Sequence, residues 1–184
     1  SNYPFTISAW INYSGGGISD GDIIPIAELY LSSPTAYYGI GINASGTGVI
    51  YAYNGLKSLT FGNSVLSNDW HIITGVFVNS TKREIYVDGM KERENLTSIV
   101  ISSVPNSFEV GRGGSGQIGF FNGTIDEVAV WNRNLSRYEI RDLYRLKAGK
   151  YYWKVNVTNV LGGGNNESET REFNISLENI SPIV

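Results

Sequence analysis

Short apolar runs separated by Gly, Asn, Ser and Pro recur through the first 131 residues, and they predict strands over 4–12, 22–31, 36–43, 48–54, 57–61, 71–78, 83–88, 107–112 and 123–131. Tyr37 to Ile42 and Val49 to Tyr53 are rich in β-formers. Asn54-Gly55, between Tyr53 and Leu56, predicts a two-residue hairpin. The pattern changes once. Ser136 and Glu139 have capping-box spacing, Leu135 and Ile140 the spacing of a hydrophobic staple, and Ile140, Leu143 and Tyr144 form one helical stripe. A single helix over 137–146 follows, with Gly149 as its stop. Beyond it, Tyr151, Trp153, Val155 and Val157 alternate with polar residues, as do Phe173, Ile175 and Leu177 after a Gly/Asn/Ser turn. The expected fold class is all-β: a sandwich with one short helix and a C-terminal β-hairpin.

Three motifs sharpen that class. Phe5-Thr-Ile-Ser-Ala-Trp-Ile opens the chain, and Asp69-Trp-His leads into an apolar run that returns as Tyr86-Val-Asp-Gly. Gly123-Thr-Ile-Asp-Glu-Val precedes Trp131-Asn-Arg-Asn-Leu-Ser and the helix. In this order and spacing they resemble the laminin-G-like, concanavalin A-like jelly-roll domains. The resemblance implies a jelly roll over residues 1–147, with the strand that family members carry before the first motif missing. Residues 148–184 form the hairpin extension, which resembles the last two strands of an immunoglobulin- or fibronectin-III-like domain. An isolated hairpin is marginal in water, so its apolar face is expected to cover the jelly roll or another chain.

Composition excludes several function classes. The net charge of −3 and a pI of about 5.2 leave no electrostatic footprint for nucleic acid. The cationic Arg137, Arg141, Arg145 and Lys147 read as the solvated face of the helix. No apolar run approaches the ~18 residues of a membrane span. With no cysteine there is neither disulfide nor thiolate metal site. Glycosylation sequons are abundant: Asn12, Asn43, Asn79, Asn95, Asn122, Asn134, Asn156, Asn166, Asn174 and Asn179. Chance pairing of 18 Asn with 30 Ser and Thr in 184 residues gives only about three. The excess points to an extracellular or cell-surface glycoprotein, and the lack of cysteine to a prokaryotic surface, archaeal ones included.

Candidate chemistry is sparse. Glucanases of this sandwich type array carboxylates at alternate positions of one strand, and no Glu-x-Asp-x-Glu is present. Asp126 and Glu127 are adjacent, which on a strand places them on opposite faces. Asp126 is expected to bind N–H groups of a neighbouring loop. His71, the sole histidine, is expected to be structural. Gly111 to Gln117 is glycine-rich without the lysine of a phosphate loop. The family resemblance implies a rim calcium ion (Ca2+), for which Asp20 and Asp22 offer hard oxygen ligands. Tyr51 and Tyr53 share a face and form a ligand platform if that face meets solvent, or core if it meets the other sheet.

The resulting expectation is a non-catalytic extracellular adhesion module that recognises a glycan or a surface protein. The alternatives are a structural subunit of a surface layer or filament, self-associating through strand or hairpin exchange, and a glycan-active enzyme.

Overall fold

The computed structural model describes residues 3–16, 23–32, 35–54, 57–66, 68–101, 104–113, 119–145, 149–153, 156–158, 165–167 and 171–175. In chain order the elements are β1 (Phe5–Tyr13), β2 (Ile24–Ser32), β3 (Thr35–Ile42), β4 (Thr47–Asn54), β5 (Lys57–Val65), β6 (Trp70–Asn79), β7 (Lys82–Val87), β8 (Met90–Asn95), β9 (Ser107–Val110), β10 (Gly123–Trp131) and α1 (Arg137–Arg145). After these come β11 (Gly149–Trp153), β12 (Asn156–Thr158), β13 (Asn165–Glu167) and β14 (Arg171–Ile175). The chain divides into two compact units, residues 1–144 and 145–184.

The first unit is a sandwich of two five-stranded antiparallel sheets. The helix-bearing sheet runs β10-β1-β6-β7-β8, and the second sheet β5-β4-β3-β2-β9. This is the jelly roll that the motifs implied. Phe5, Ile7, Ala9, Ile11 and Tyr13 take every second position of β1 and turn into the core, meeting Ile73 and Phe77 of β6 and Ile40 and Ile50 of the second sheet. Phe5 stacks on Phe77 at 4.4 Å between ring centroids.

Two features depart from the sequence reading. Strand β8, Met-Lys-Glu-Arg-Glu-Asn, was not anticipated, because a charged strand at a sheet edge needs no apolar alternation. The β4–β5 hairpin forms, but Tyr53 pairs with Lys57, which leaves three residues between them rather than two. Strand β10 carries a bulge. Ser8 of β1 pairs with Ala129 and Trp10 with Asp126, so two residues oppose Ala9, and Glu127 adopts φ 48°. The bulge resets the side-chain parity, and so Ile125 and Val128, three apart, both pack on the core.

Helix α1 lies on the outer face of its sheet. Leu135 and Ile140 are buried there with Val76 and Tyr86, and Val78, Trp131 and Leu143 pack around them. The capping box is made: Ser136 N–H donates to Glu139 Oε2 at 2.8 Å and Glu139 N–H to Ser136 Oγ at 3.3 Å. Thr6 Oγ1 ties down the approach to the helix, donating to Arg133 O and accepting from Leu135 N–H. Gly89 fits beneath α1 at φ +77°, where a Cβ would lie 3.0 Å from Arg141 Cα. In the second unit β11 pairs with β14, Tyr151 opposite Phe173, and β12 pairs with β13.

Candidate functional site

On β1 the register assigns Thr6, Ser8, Trp10 and Asn12 to the outer face, opposite in parity to the core residues. Helix α1 runs over this face from the Thr6 and Val76 row to Gly89, and Tyr144 in its last turn stacks against Trp10 at 6.1 Å. The other end of the face is open. One row across it reads Thr124 on β10, Asn12 on β1 and Trp70 on β6, each directly opposite the next. In the following row Asp126 stands opposite Trp10. Trp70 is 37% exposed, Thr124 and Asp126 are exposed, and Asn12 and Trp10 are half-buried.

Asp126 therefore does not play the role expected from the sequence. Among the described residues it binds no neighbouring loop: its Oδ1 accepts the N–H of Glu127, 2.8 Å away, and Asp126 is exposed. The bulge supplies the reason, since it turns the Asp126 side chain to the open face while the backbone at Glu127 departs from the ladder.

Beside Trp70, His71 Nδ1 lies 2.7 Å from Asp88 Oδ2, and Asp88 Oδ1 accepts the N–H of Ile72 at 3.1 Å. Both carboxylate oxygens of Asp88 are thus committed to joining the start of β6 to the turn after β7. This explains the Trp-His and Asp-Gly pairing of the sequence: His71 and Asp88 lock the hairpin, and Gly89 admits the helix above it.

The tyrosines lie on the far face of the second sheet, turned away from the inter-sheet core. Tyr51 is 1% exposed, packs with Tyr30, Tyr37 and Val49, crosses Gly39 and donates to the buried Glu28 carboxylate at 3.2 Å. Tyr53, half-buried, stacks on Tyr37 at 4.9 Å. Neither of the two alternatives drawn from the sequence describes this arrangement, because the face is neither open at Tyr51 nor turned to the other sheet. Asp20 and Asp22 lie outside the described residues. Among the described residues no three His, Asp or Glu side chains cluster as a metal site.

Sequence reasoning missed Arg83. It is fully buried on β7, and its Nη2 donates to Ser58 Oγ, Asn95 Oδ1 and Thr97 O at 2.7–2.9 Å. Among the described residues its Nε and Nη1 have no acceptor. Burial lowers the pKa of the guanidinium, and the nearby Tyr3 and Tyr38 phenols oppose that shift. Its parity with Ile85 and Val87 was the available signal.

The sequons differ in accessibility. Asn79 is exposed, and its Oδ1 accepts from both the N–H and the hydroxyl of Thr81. Asn134 is exposed, and Asn43 uses Oδ1 in its own turn. Asn122 donates Nδ2 to Gly15 O at 2.7 Å, and Asn95 donates Nδ2 to Thr60 Oγ1 at 2.6 Å. Asn156, Asn166 and Asn174 lie on strands β12, β13 and β14, and Asn179 lies outside the described residues.

A two-sheet jelly roll with a capped helix on one outer face defines a laminin-G-like domain. The family model of the Concanavalin A-like lectin/glucanases superfamily matches residues 1–141, and the chain belongs to this family. No curated protein matches the sequence. Solved structures share the fold at low identity. The chain is similar to the CBM40 domain of Ruminococcus gnavus IT-sialidase bound to α2,3-sialyllactose, with a TM-score of 0.61, 15% identity, and coverage of 77% of this chain and 82% of that one. It is also similar to domain 4 of an extracellular arabinanase from Geobacillus stearothermophilus in complex with arabinotriose (0.58, 14%, 77% and 66%). Similarity extends to Trypanosoma rangeli sialidase with the inhibitor DANA (0.59, 20%), where the alignment covers 78% of this chain but only 23% of the enzyme.

Proposed function

We propose that the chain is a non-catalytic carbohydrate-binding module that works outside the cell. The observation that carries this reading is the laminin-G-like sandwich itself, matched over residues 1–141 and shared with domains solved with sialyllactose and arabinotriose. The disposition of the carboxylates favours binding over hydrolysis. Asp88 locks a hairpin, Glu28 accepts from a buried tyrosine, Glu92 binds the backbone of β5, Glu84 and Glu94 pair with Lys91, and Glu139 caps α1. Asp126 and Glu127 adjoin at a bulge and form no facing pair. The sequon excess supports an extracellular, glycosylated and prokaryotic setting, with Asn79 and Asn134 the best-presented acceptors. The calcium expected at Asp20 and Asp22 remains part of this proposal. A glycan array probed with the intact chain tests binding, and a polysaccharide panel tests hydrolysis. Saccharide binding without product release supports the reading; release of reducing sugar overturns it.

A second reading, self-association within a surface assembly, rests on a different observation. Strand β10 ends its sheet, with Val130 46% exposed, beside a groove of about 430 Å³ that includes Leu29, Val104 and Pro105. An edge with apolar neighbours is a template for a second chain.

A further inference from the structure

The open end of the helix-bearing sheet is built like a saccharide platform. Trp70, Asn12 and Thr124 stand side by side in one row, with Asp126 and Trp10 in the next. Directly opposed side chains on a sheet face have Cβ atoms about 5 Å apart and diagonal ones about 7–8 Å, so the array spans about one or two sugar rings. The geometry points to a binding site for a neutral saccharide on this face. Trp70 offers its indole to the apolar side of a sugar ring, and Trp10, held by Tyr144, extends the platform. The Asn12 amide and the Thr124 hydroxyl both donate and accept, and the free Asp126 oxygen accepts from hydroxyl groups.

Charge selects the class of sugar. Asp126 is exposed on this face, β1, β6 and β10 contain no lysine or arginine, and the cations of the neighbouring helix, Arg137, Arg141 and Arg145, are exposed on α1 rather than in the two rows. A carboxylated sugar would meet like charge with no cation from these strands to offset it, whereas a neutral one would meet only hydrogen-bonding partners. Helix α1 defines the boundary of the site, because its last turn lies against Gly89 and carries Tyr144, the residue that braces Trp10. Residues from three strands and the helix thus converge on a face with one exposed indole. The inference rests on the carbohydrate-binding reading above and assigns it a place and a ligand class.

Isothermal titration of the whole chain, made in a bacterial cytoplasm where Asn12 stays unmodified, tests it with cellohexaose, mannohexaose, arabinotriose and 3′-sialyllactose. At least one neutral oligosaccharide is expected to bind, and sialyllactose is not. Trp70→Ala is expected to weaken that binding by about tenfold or more at unchanged Tm, and Asp126→Asn by less. Thr124→Lys, at an exposed position, provides a second block of the same row that leaves the core untouched. Neutral-sugar binding that survives all three variants overturns the site while leaving the module reading intact. Sialyllactose binding that depends on Trp70 overturns the ligand class. Silence toward every oligosaccharide overturns the site and the module reading together.

Discussion

Asn95 is a sequon by sequence and, by structure, a half-buried residue whose amide is committed on both sides. Its Oδ1 takes a hydrogen bond from the buried Arg83 guanidinium, and its Nδ2 donates to Thr60 Oγ1. Removing an acceptor from a buried cation leaves desolvation uncompensated, so Asn95→Ala should cost about 1–3 kcal/mol, read from denaturant unfolding. The same commitment of Nδ2 predicts a selective glycan map. Glycopeptide analysis of natively sourced protein should find Asn79 and Asn134 occupied and Asn95 bare; an occupied Asn95 would contradict the assigned role of its amide. Sequence proximity alone could not make this distinction, because Asn-Leu-Thr at 95 and Asn-Ser-Thr at 79 have the same form. Burial separates them. Trp10 was legible in principle: it sits among Thr6, Ser8 and Asn12 on the polar parity of β1, where a large indole has no place in a merely solvated face.

At the scale of elements, two carboxylates fasten one element to another and carry a pH signature. Burial alone would raise the Glu92 carboxyl, but hydrogen bonds from the Ser64 hydroxyl and the backbone N–H groups of Asn63 and Ser64 outweigh it and hold it below the ordinary range. Glu92 thereby joins β8 to β5, the adjacent edges of the two sheets. Glu139 is held at about 2, first by the Arg133 guanidinium and then by the Ser136 cap. A carboxylate depressed in the folded state adds stability that is complete above its unfolded pKa and is lost as the pH falls through the folded one. For Glu139 the window runs from 4.5 down to about 2. Tm should therefore fall across that range, and Glu139→Gln should start lower at neutral pH and lose less on acidification. Gly89→Ala tests the helix seat. Its φ of +77° and the 3.0 Å approach of Arg141 Cα predict a loss of about 1–3 kcal/mol in thermal unfolding. The capped helix was legible because cap, staple and stripe are local signals. Strand β8 was not, since its charges satisfy an edge position, and neither was the bulge at Glu127, whose effect on parity depends on the partner strand.

For the whole molecule, the motifs were enough to give the sandwich, since core parity and turn residues are written into each strand. Which outer face stays open was not legible, because it depends on where α1 comes to rest on strands distant in sequence. Tyr51 shows the same limit: its parity was correct, yet its burial depends on what surrounds that face. The exposed β10 edge carries a separate expectation. Sedimentation velocity of the full chain over a wide concentration range should show association that Val130→Lys abolishes, because a charge on an exposed edge blocks strand addition. A chain that stays monomeric at every concentration would remove the assembly reading.

The central claim, that this fold recognises saccharides, is tested most directly by two-dimensional NMR of the labelled chain titrated with the neutral oligosaccharides. Four tryptophans give four indole N–H signals. The account predicts that the Trp70 signal moves in a saturable way while that of Trp131, packed against the helix cluster, stays in place. An unchanged spectrum with every oligosaccharide would contradict it.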